Sequence, residues 1–547
     1  MEDIKAAPHG AAFLLLSRRG LRPLPVSPRE VRCVQLRVFL RLGFYRAGKY
    51  VVELYARNPD VRAVLANADT GFIFLCGGCK MPRENEVLSP LDGRYAGRLK
   101  GLLKCAGDGA LARYRVRVEC RYLERLCGTP QAGTRRLKPK EIAYLQKLHL
   151  LTQKDLTLIS TIETTGAYGI PPTKHDVKAV EYFIKLGLSR TSLKDIKELV
   201  HCGLTSEDVN NMAYALMLRD CLRLELLPAL RELSSVLDGM AVRYAASPLL
   251  GRTHGQPAVP TSFGKELRVF QVRLARQIRQ LESLKLYAKL NGAVGNYNAH
   301  AAAFPRVDWR RFSREFVESF NEDGGPCVAC NLFTTQIEPH DSFAEAFDNI
   351  RRANVILLDL CGDMWRYISD GLVAQKAVPG EIGSSTMPQK VNPIHFENAE
   401  GNLGLANALL GFFSSKLPVS RLQRDLSDST VLRNVGVALG HSLVAYASVR
   451  EGLARAGFDE ASARAELEAH PEIIAEGMQT ILRREGAAGA YEKLAALTRG
   501  RRVTLAELCS FADGLSVSPS AKKALKELSP LSYTGLSEKL AVQKEER

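Results

Sequence analysis

Apolar residues recur at steps of three and four along 264–290, GKELRVFQVRLARQIRQLESLKLYAKL, at Leu267, Phe270, Leu274, Ile278, Leu281 and Leu284, with arginines opposite. That spacing lines one face of a helix. A similar pattern runs through 208–243, opened by Thr205-Ser-Glu-Asp208, a spacing that fits a capping box. The stretches 343–370 and 397–415 read as two more long helices. No strong run of strand-type alternation stands out, and nothing repeats at a solenoid period. Long helices with short polar connectors argue for an all-α bundle.

Residues 1–87 have another character, with eleven arginines, three lysines and no sustained period. They read as a basic extension, either a targeting segment or a poorly ordered appendage. The expected division is 1–87 for this extension, 88–194 for an N-terminal helical domain, 195–453 for the central bundle and 454–547 for a C-terminal domain of shorter helices.

The net charge of +16 in 547 residues first suggests nucleic acid. Residues 1–88 hold +6 of that excess, and the rest is spread without a basic run or a recognition motif. No nucleic-acid partner is therefore expected, and a positive surface equally attracts small polyanions. No apolar run reaches the roughly 18 residues that span a membrane, so no membrane partner is expected. Twelve scattered cysteines without a convincing secretory signal argue for a reducing compartment, the cytoplasm first, with an organelle as the alternative if 1–87 is an address. Two C-x-x-C pairs occur, Cys76/Cys79 and Cys327/Cys330, about 250 residues apart. Zinc needs four ligands at close spacing, so these read as structural or loop thiols.

Several short stretches break the helical pattern with polar residues that do not interchange. They are SPLDGRY (89–95), KHDVKAVEYF (174–183), LTSEDVNN (204–211), GRTHGQPAVP (251–260), GAVGNYNAH (292–300), TTQIEPHD (334–341), GEIGSSTMPQKVNPIHFEN (380–398) and RDLSDSTVLRN (424–434). In 380–398, Pro388 and Pro393 exclude a continuous helix. A flexible, hydroxyl-rich loop with one lysine thus separates two helical regions. Taken singly, His254 reads as a capping or packing residue, Ser384 as a turn residue and Lys390 as a solvated cation.

Together these stretches resemble a known family. Ser384-Ser-Thr-Met-Pro-Gln-Lys-Val-Asn-Pro393 matches the signature loop of the fumarase/aspartase superfamily. With GRTHGQPA, TSEDVNN, TTQIEPHD and SKLPVSRLQRDLSDSTVLRN, residues 88–547 resemble the bacterial-type adenylosuccinate lyase family. The resemblance implies an all-α, three-domain subunit with a central long-helix bundle. It implies a homotetramer whose sites are each built from three chains, with His254 and Ser384 of one site contributed by different protomers. The implied activity is elimination of fumarate from adenylosuccinate and its imidazole-carboxamide counterpart, with a nucleotide as the small-molecule partner and no metal or organic cofactor.

By resemblance, Ser384 is the general base and His254 the general acid, with His175 and Lys390 assisting. A serine hydroxyl is a weak base, so its loop's backbone N–H groups and Lys390 must supply an unusual field. Imidazole suits the acid because its pKa lies near working pH. Arg94, Tyr95, Lys174, His175 and Asp176 are implied nucleotide contacts. Thr205, Ser206, Gln336, Ser385, Lys390, Asn392 and Asn398 are implied contacts to the succinyl or base portions. Arg424 and the run Ser429, Thr430, Val431, Leu432 and Arg433 complete the implied phosphate and ribose site, where arginine's planar fork suits anions.

Two segments depart from the family pattern: TTGAYGIPPTKHD before and including His175 and Asp176, and NEDGGPCVAC at 321–330. The alternatives are a sibling lyase acting on argininosuccinate, fumarate or aspartate, and a catalytically silent relative. No G-x-S-x-G elbow surrounds Ser384, which argues against an acyl-transfer nucleophile.

Overall fold

The computed structural model describes residues 87–321, 324–380 and 386–543, together with four short strands before residue 56. Residues 1–93 and 94–547 are two compact units. In the first, β1 (Leu14–Ser17) pairs antiparallel with β2 (Gly20–Pro23), and β3 (Phe39–Tyr45) with β4 (Lys49–Tyr55).

The second unit is mostly helical. It opens with α1 (Lys100–Ala106), α2 (Asp108–Cys127), α3 (Pro139–Leu148), α4 (Gln153–Thr164) and α5 (Asp176–Leu188). Helices α2 to α5 enclose one apolar cluster that includes Val116, Leu123, Leu145, Ile162 and Ile184. The chain then enters α6 (Ser206–Cys221), passes a π-helical turn at Leu222–Leu226 and continues as α7 (Leu227–Arg243). Pro228, in the first turn of α7, explains the widened turn, because it lacks an N–H and its ring crowds the preceding carbonyls.

Helix α8 (Phe263–Glu282) follows, and then come α9 (Asn298–Ala303), α10 (Trp309–Glu318), α11 (Asp341–Ser369), α12 (Ile394–Lys416), α13 (Ser427–Leu432) and α14 (Val435–Arg455). Helix α7 packs on α8, α8 on α11, α11 on α12, α12 on α14 and α14 back on α7, which closes a five-helix bundle. At 29 residues, α11 runs for about 44 Å. Gly264 allows the close approach of α7 and α8: a Cβ there would lie 2.3 Å from the Ala241 carbonyl oxygen.

The last stretch holds α15 (Glu460–Glu468), α16 (Ala475–Arg484), α17 (Ala490–Thr498), α18 (Leu505–Asp513), α19 (Pro519–Glu527) and α20 (Ser537–Val542). A separate cluster of Leu467, Ile474, Met478, Leu482, Leu508 and Leu525 also takes in Leu250 from the strand β5 (Pro248–Thr253). That strand pairs with β6 (Gln256–Ser262) in an antiparallel hairpin.

The all-α reading of the chain holds, with two local corrections. The helix expected over 264–290 stops at Glu282, and Lys285–Ala288 forms β7, paired in parallel with β8 (Cys327–Cys330). Along β7 burial alternates, with Leu286 and Ala288 inside and Lys285 and Tyr287 facing outward, so a two-residue period takes over from the helical one. Stretch 251–260 is a hairpin rather than a connector between helices. A further two-stranded pair joins β9 (Val373–Gln375) to β10 (Ala456–Phe458). Among the described residues no helix is long and apolar enough to cross a membrane. Cys327 and Cys330 are free thiols on β8, and burial pushes Cys330 up to about 12; Cys76 and Cys79 lie outside the described residues.

Candidate active site

The first turn of α6 organises the surroundings, because its three opening side chains reach three different elements. Thr205 caps the helix, and the Asp208 carboxylate accepts the Thr205 backbone N–H at 2.9 Å, as the capping-box spacing predicts. Asp208 also accepts the N–H groups of Asn291 and Gly292 at 3.0 and 3.1 Å and pairs with the buried Lys289 ammonium at 3.0 Å. The segment after β7 is thereby tied to α6.

Ser206 faces α5. Its Oγ lies 3.5 Å from His175 Nε2, while His175 Nδ1 caps α5 by accepting the Lys178 backbone N–H at 3.3 Å. Next to it, Asp176 sits between two guanidinium groups, Arg115 at 2.7 Å and Arg433 at 2.6 Å. Burial pushes the Asp176 carboxyl up, but Arg115, the Val177 N–H and Arg433 outweigh it and hold the group below its usual range. Arg433, at the C-terminal end of α13, is otherwise exposed.

Glu207 faces Arg424. Its Oε2 lies 3.1 Å from Arg424 Nη2, and Arg424 Nη1 donates to Gln336 Oε1 at 3.1 Å. Gln336 in turn donates Nε2 to the Ala293 carbonyl at 3.0 Å and its backbone N–H to the Gln423 carbonyl at 3.2 Å. The stretches TSEDVNN, GAVGNYNAH, TTQIEPHD and RDLSDSTVLRN therefore converge on one arginine. Gly295 makes the convergence possible: its φ is +82°, and a Cβ would lie 2.1 Å from the Thr334 carbonyl oxygen.

Thr205, Ser206, His175, Asp176, Gln336, Arg424 and Arg433 are thus brought together around α6. Ser429 is half-buried, its N–H on Asp428 Oδ1 at 2.7 Å, and Thr430 is exposed. Val431 and Leu432 are buried, so a ligand reaches them only through backbone.

Tyr95 and Asn398 form a second group. Asn398 Nδ2 donates to the Tyr95 hydroxyl at 2.9 Å, a bond that is the main cause of that hydroxyl's lowered pKa, and Asn398 Oδ1 accepts Ser448 Oγ at 2.8 Å. Arg94, beside Tyr95, is exposed. Lys174 adopts φ +50° and donates Nζ to the carbonyl of Thr164, the last residue of α4, at 2.7 Å. A cation there complements the helix C-terminus.

His254 occupies the tip of the β5–β6 hairpin, exposed. Thr253 pairs with Gln256, and His254 and Gly255 both take positive φ, +52° and +73°. Two such residues make the tight turn that suits hairpin twist. Ser247, at the hairpin's base, donates to Glu460 at 2.8 Å, and Arg252 pairs with Glu466 on α15.

Ser384 and Ser385 lie outside the described residues. The ends of their loop are tied down, since Gln375 Nε2 donates to the Val391 carbonyl at 3.0 Å and Lys376 N–H to the Arg455 carbonyl at 2.8 Å. Lys390 is exposed, its N–H on the Met387 carbonyl at 3.1 Å, and Asn392 is half-buried.

A family model described as lyase matches residues 170–407, and one described as adenylosuccinate lyase C-terminal matches 420–534. Adenylosuccinate lyase of Escherichia coli K12 is 45% identical over 454 residues, 82% of this chain and 96% of that protein. The chain belongs to the adenylosuccinate lyase family. Other adenylosuccinate lyases agree: that of Haemophilus influenzae is 44% identical over 459 residues, 83% of this chain and 97% of its own, and that of Dictyostelium discoideum 43% over 463, 82% and 96%. Among solved structures, 3-carboxy-cis,cis-muconate lactonizing enzyme from Pseudomonas putida superposes with TM-score 0.58 at 22% identity, covering 79% of this chain and 92% of that one, a likeness of fold.

Four further side chains near this candidate site carry little signal of their own in the motifs named above. Glu207, His340 and Asp428 are all buried, and Lys289 is fully so. The first three sit inside motifs already singled out, and the signal was a charged or imidazole side chain placed where a helix begins.

Proposed function

We propose that this chain catalyses elimination of fumarate from adenylosuccinate, giving AMP, and from SAICAR, giving AICAR. What carries the reading is its likeness to adenylosuccinate lyases over 96% of their length. The gathering of Ser206, Thr205, His175, Arg424 and Arg433 at one helix N-terminus supports it, since hydroxyls, imidazole and guanidinium groups suit a substrate with two carboxylates and a phosphate.

Ser384 takes the proton from the carbon beside a carboxylate, and His254 protonates the nitrogen as the C–N bond breaks. The electron pair left on carbon becomes the fumarate double bond. Lys390 and the loop's backbone N–H groups stabilise the charge that builds on the carboxylate. Arg424 and Arg433 favour a nucleotide over the argininosuccinate, fumarate or aspartate of the sibling lyases.

The working form is a homotetramer. His254, at a hairpin tip braced on α15, meets the Ser384 loop and the α6 group of other subunits. The enzyme acts in the cytoplasm, with residues 1–87 as the place to look for an organelle address.

Incubation with adenylosuccinate tests the reaction: equal amounts of fumarate and AMP are expected, and no products from folded protein would contradict it. Mixing tests the shared site. His254→Ala and Ser384→Ala, each strongly impaired alone, should regain activity when dissociated and reassembled together; no recovery would place both groups in one chain.

A further inference from the structure

Behind Arg424 lies a buried group with no role in the proposed chemistry so far. Donor atoms of Glu207, His340 and Asp428 lie within 4.8 Å of one another, and all three residues are buried. Glu207 Oε1, Asp428 Oδ2, both ring nitrogens of His340 and Arg424 Nε have no hydrogen-bond partner. Such unsatisfied groups are rare in a protein interior and cost stability. Arg424 is the cluster's link to the surface: its side chain is 17% exposed, with Nη2 3.1 Å from Glu207 and Nε 3.9 Å from Asp428.

We propose that Glu207, Asp428 and His340 are positioning residues for Arg424, which fix its guanidinium and set how much positive charge it offers an anionic group of the substrate. The proposal rests on the reading of Arg424 as a substrate contact. A divalent ion is the rival occupant of such a spacing, but the Arg424 guanidinium already supplies the compensating charge.

The electrostatics follow from the geometry. Two buried carboxylates this close, served by one guanidinium, do not both ionise freely. Burial pushes Glu207 up to about 7, Arg424 pulls against that, and Asp428 adds to it, with Lys289 opposing from the far side, where it pairs with Asp208. Burial also raises Asp428. His340 is pulled down to about 4 by burial and then by Arg424, so it is neutral at working pH, with Glu338 3.9 Å from its Nδ1. Burial also pushes Glu338 up, to about 6, so Glu207 is the carboxyl paired with Arg424 that changes charge near neutrality. When it is protonated, Arg424 is free to meet an anion. When it ionises, it neutralises Arg424 and adds a negative charge beside the incoming substrate.

The test is the pH dependence of KM for adenylosuccinate between pH 6 and 8.5, in the full-length enzyme and in Glu207→Gln. Wild-type KM should rise about three- to tenfold as Glu207 ionises, with kcat little changed. Glu207→Gln should lose that rise, and the substrate phosphate, which titrates in both proteins, drops out of the comparison. Asp428→Asn is the second variant. It removes a like charge, lets Glu207 ionise more easily and should move the rise to lower pH. A Glu207→Gln profile parallel to wild type, or a uniform loss of kcat and KM together with a lowered Tm, would overturn the proposal. Infrared difference spectra of substrate-free enzyme add a readout independent of the reaction: a protonated carboxyl band should titrate near neutrality and vanish in Glu207→Gln. That band's absence from wild type refutes the charge switch even if turnover is confirmed, and its presence stands even if adenylosuccinate proves not to be the substrate.

Discussion

The ammonium of Lys289 lies 3.0 Å from the carboxylate of Asp208, and neither side chain is exposed to solvent. Each partner has further bonds: Lys289 donates to the Gly292 carbonyl at 2.7 Å, and Asp208 accepts three backbone N–H groups. This pair fastens the 289–292 segment to the turn that carries Ser206 and Glu207. Removing one partner of such a pair leaves a buried charge uncompensated, which costs about 3–5 kcal/mol. Lys289→Met should show that loss in urea denaturation and lose activity in proportion. A loss below about 1 kcal/mol would mean that the backbone N–H groups suffice for Asp208.

A second pair makes stability depend on pH. His201 Nδ1 lies 2.5 Å from Glu119 Oε1, four residues before the cap of α6. Burial lowers the His201 pKa, but Glu119 outweighs it and leaves the imidazole above its usual 6.5. A raised folded-state value contributes stability that is fully present below about 6.5 and is lost as pH rises through the folded pKa. Denaturation midpoints should therefore fall from pH 6 toward alkaline pH, and His201→Gln should flatten that part of the curve. An unchanged slope in the variant would assign the pH dependence elsewhere.

Gly295 predicts a coupled defect. Its φ of +82° strains any side chain, and a Cβ would stand 2.1 Å from the Thr334 carbonyl. Overpacking of this kind costs about 1–3 kcal/mol, and the backbone strain adds to it. Because the displaced strand of chain leads directly to Gln336 and so to Arg424, Gly295→Ala should raise KM as well as lower the unfolding midpoint. Lost stability with wild-type kinetics would uncouple the turn from the site.

The long helices and the Thr205–Asp208 box were legible because helical spacing and capping are local signals. Pro228 falls inside the 208–243 pattern, yet the chain absorbs it in a π turn and runs on. The strand at Lys285–Ala288 was hidden because four residues of alternation follow a helix without a break, and only β8, some forty residues later, completes the pairing. His254 reads as a functional candidate only through resemblance, since Thr-His-Gly-Gln is also an ordinary tight turn. Glu207, His340 and Asp428 each carry only a local signal, a position at a helix start, and their clustering was not legible. Its meaning depends on three motifs, far apart in the chain, meeting at Arg424.

The most direct measurement compares wild type with Ser384→Ala in adenylosuccinate cleavage, with fumarate and AMP quantified separately. Wild type should release the two in equal amounts, and the variant should slow by about 10²–10⁴-fold, the usual contribution of a positioned acid–base group, while keeping its fold and assembly. Equal rates in the two proteins, or a folded wild type that releases neither product, would contradict the account.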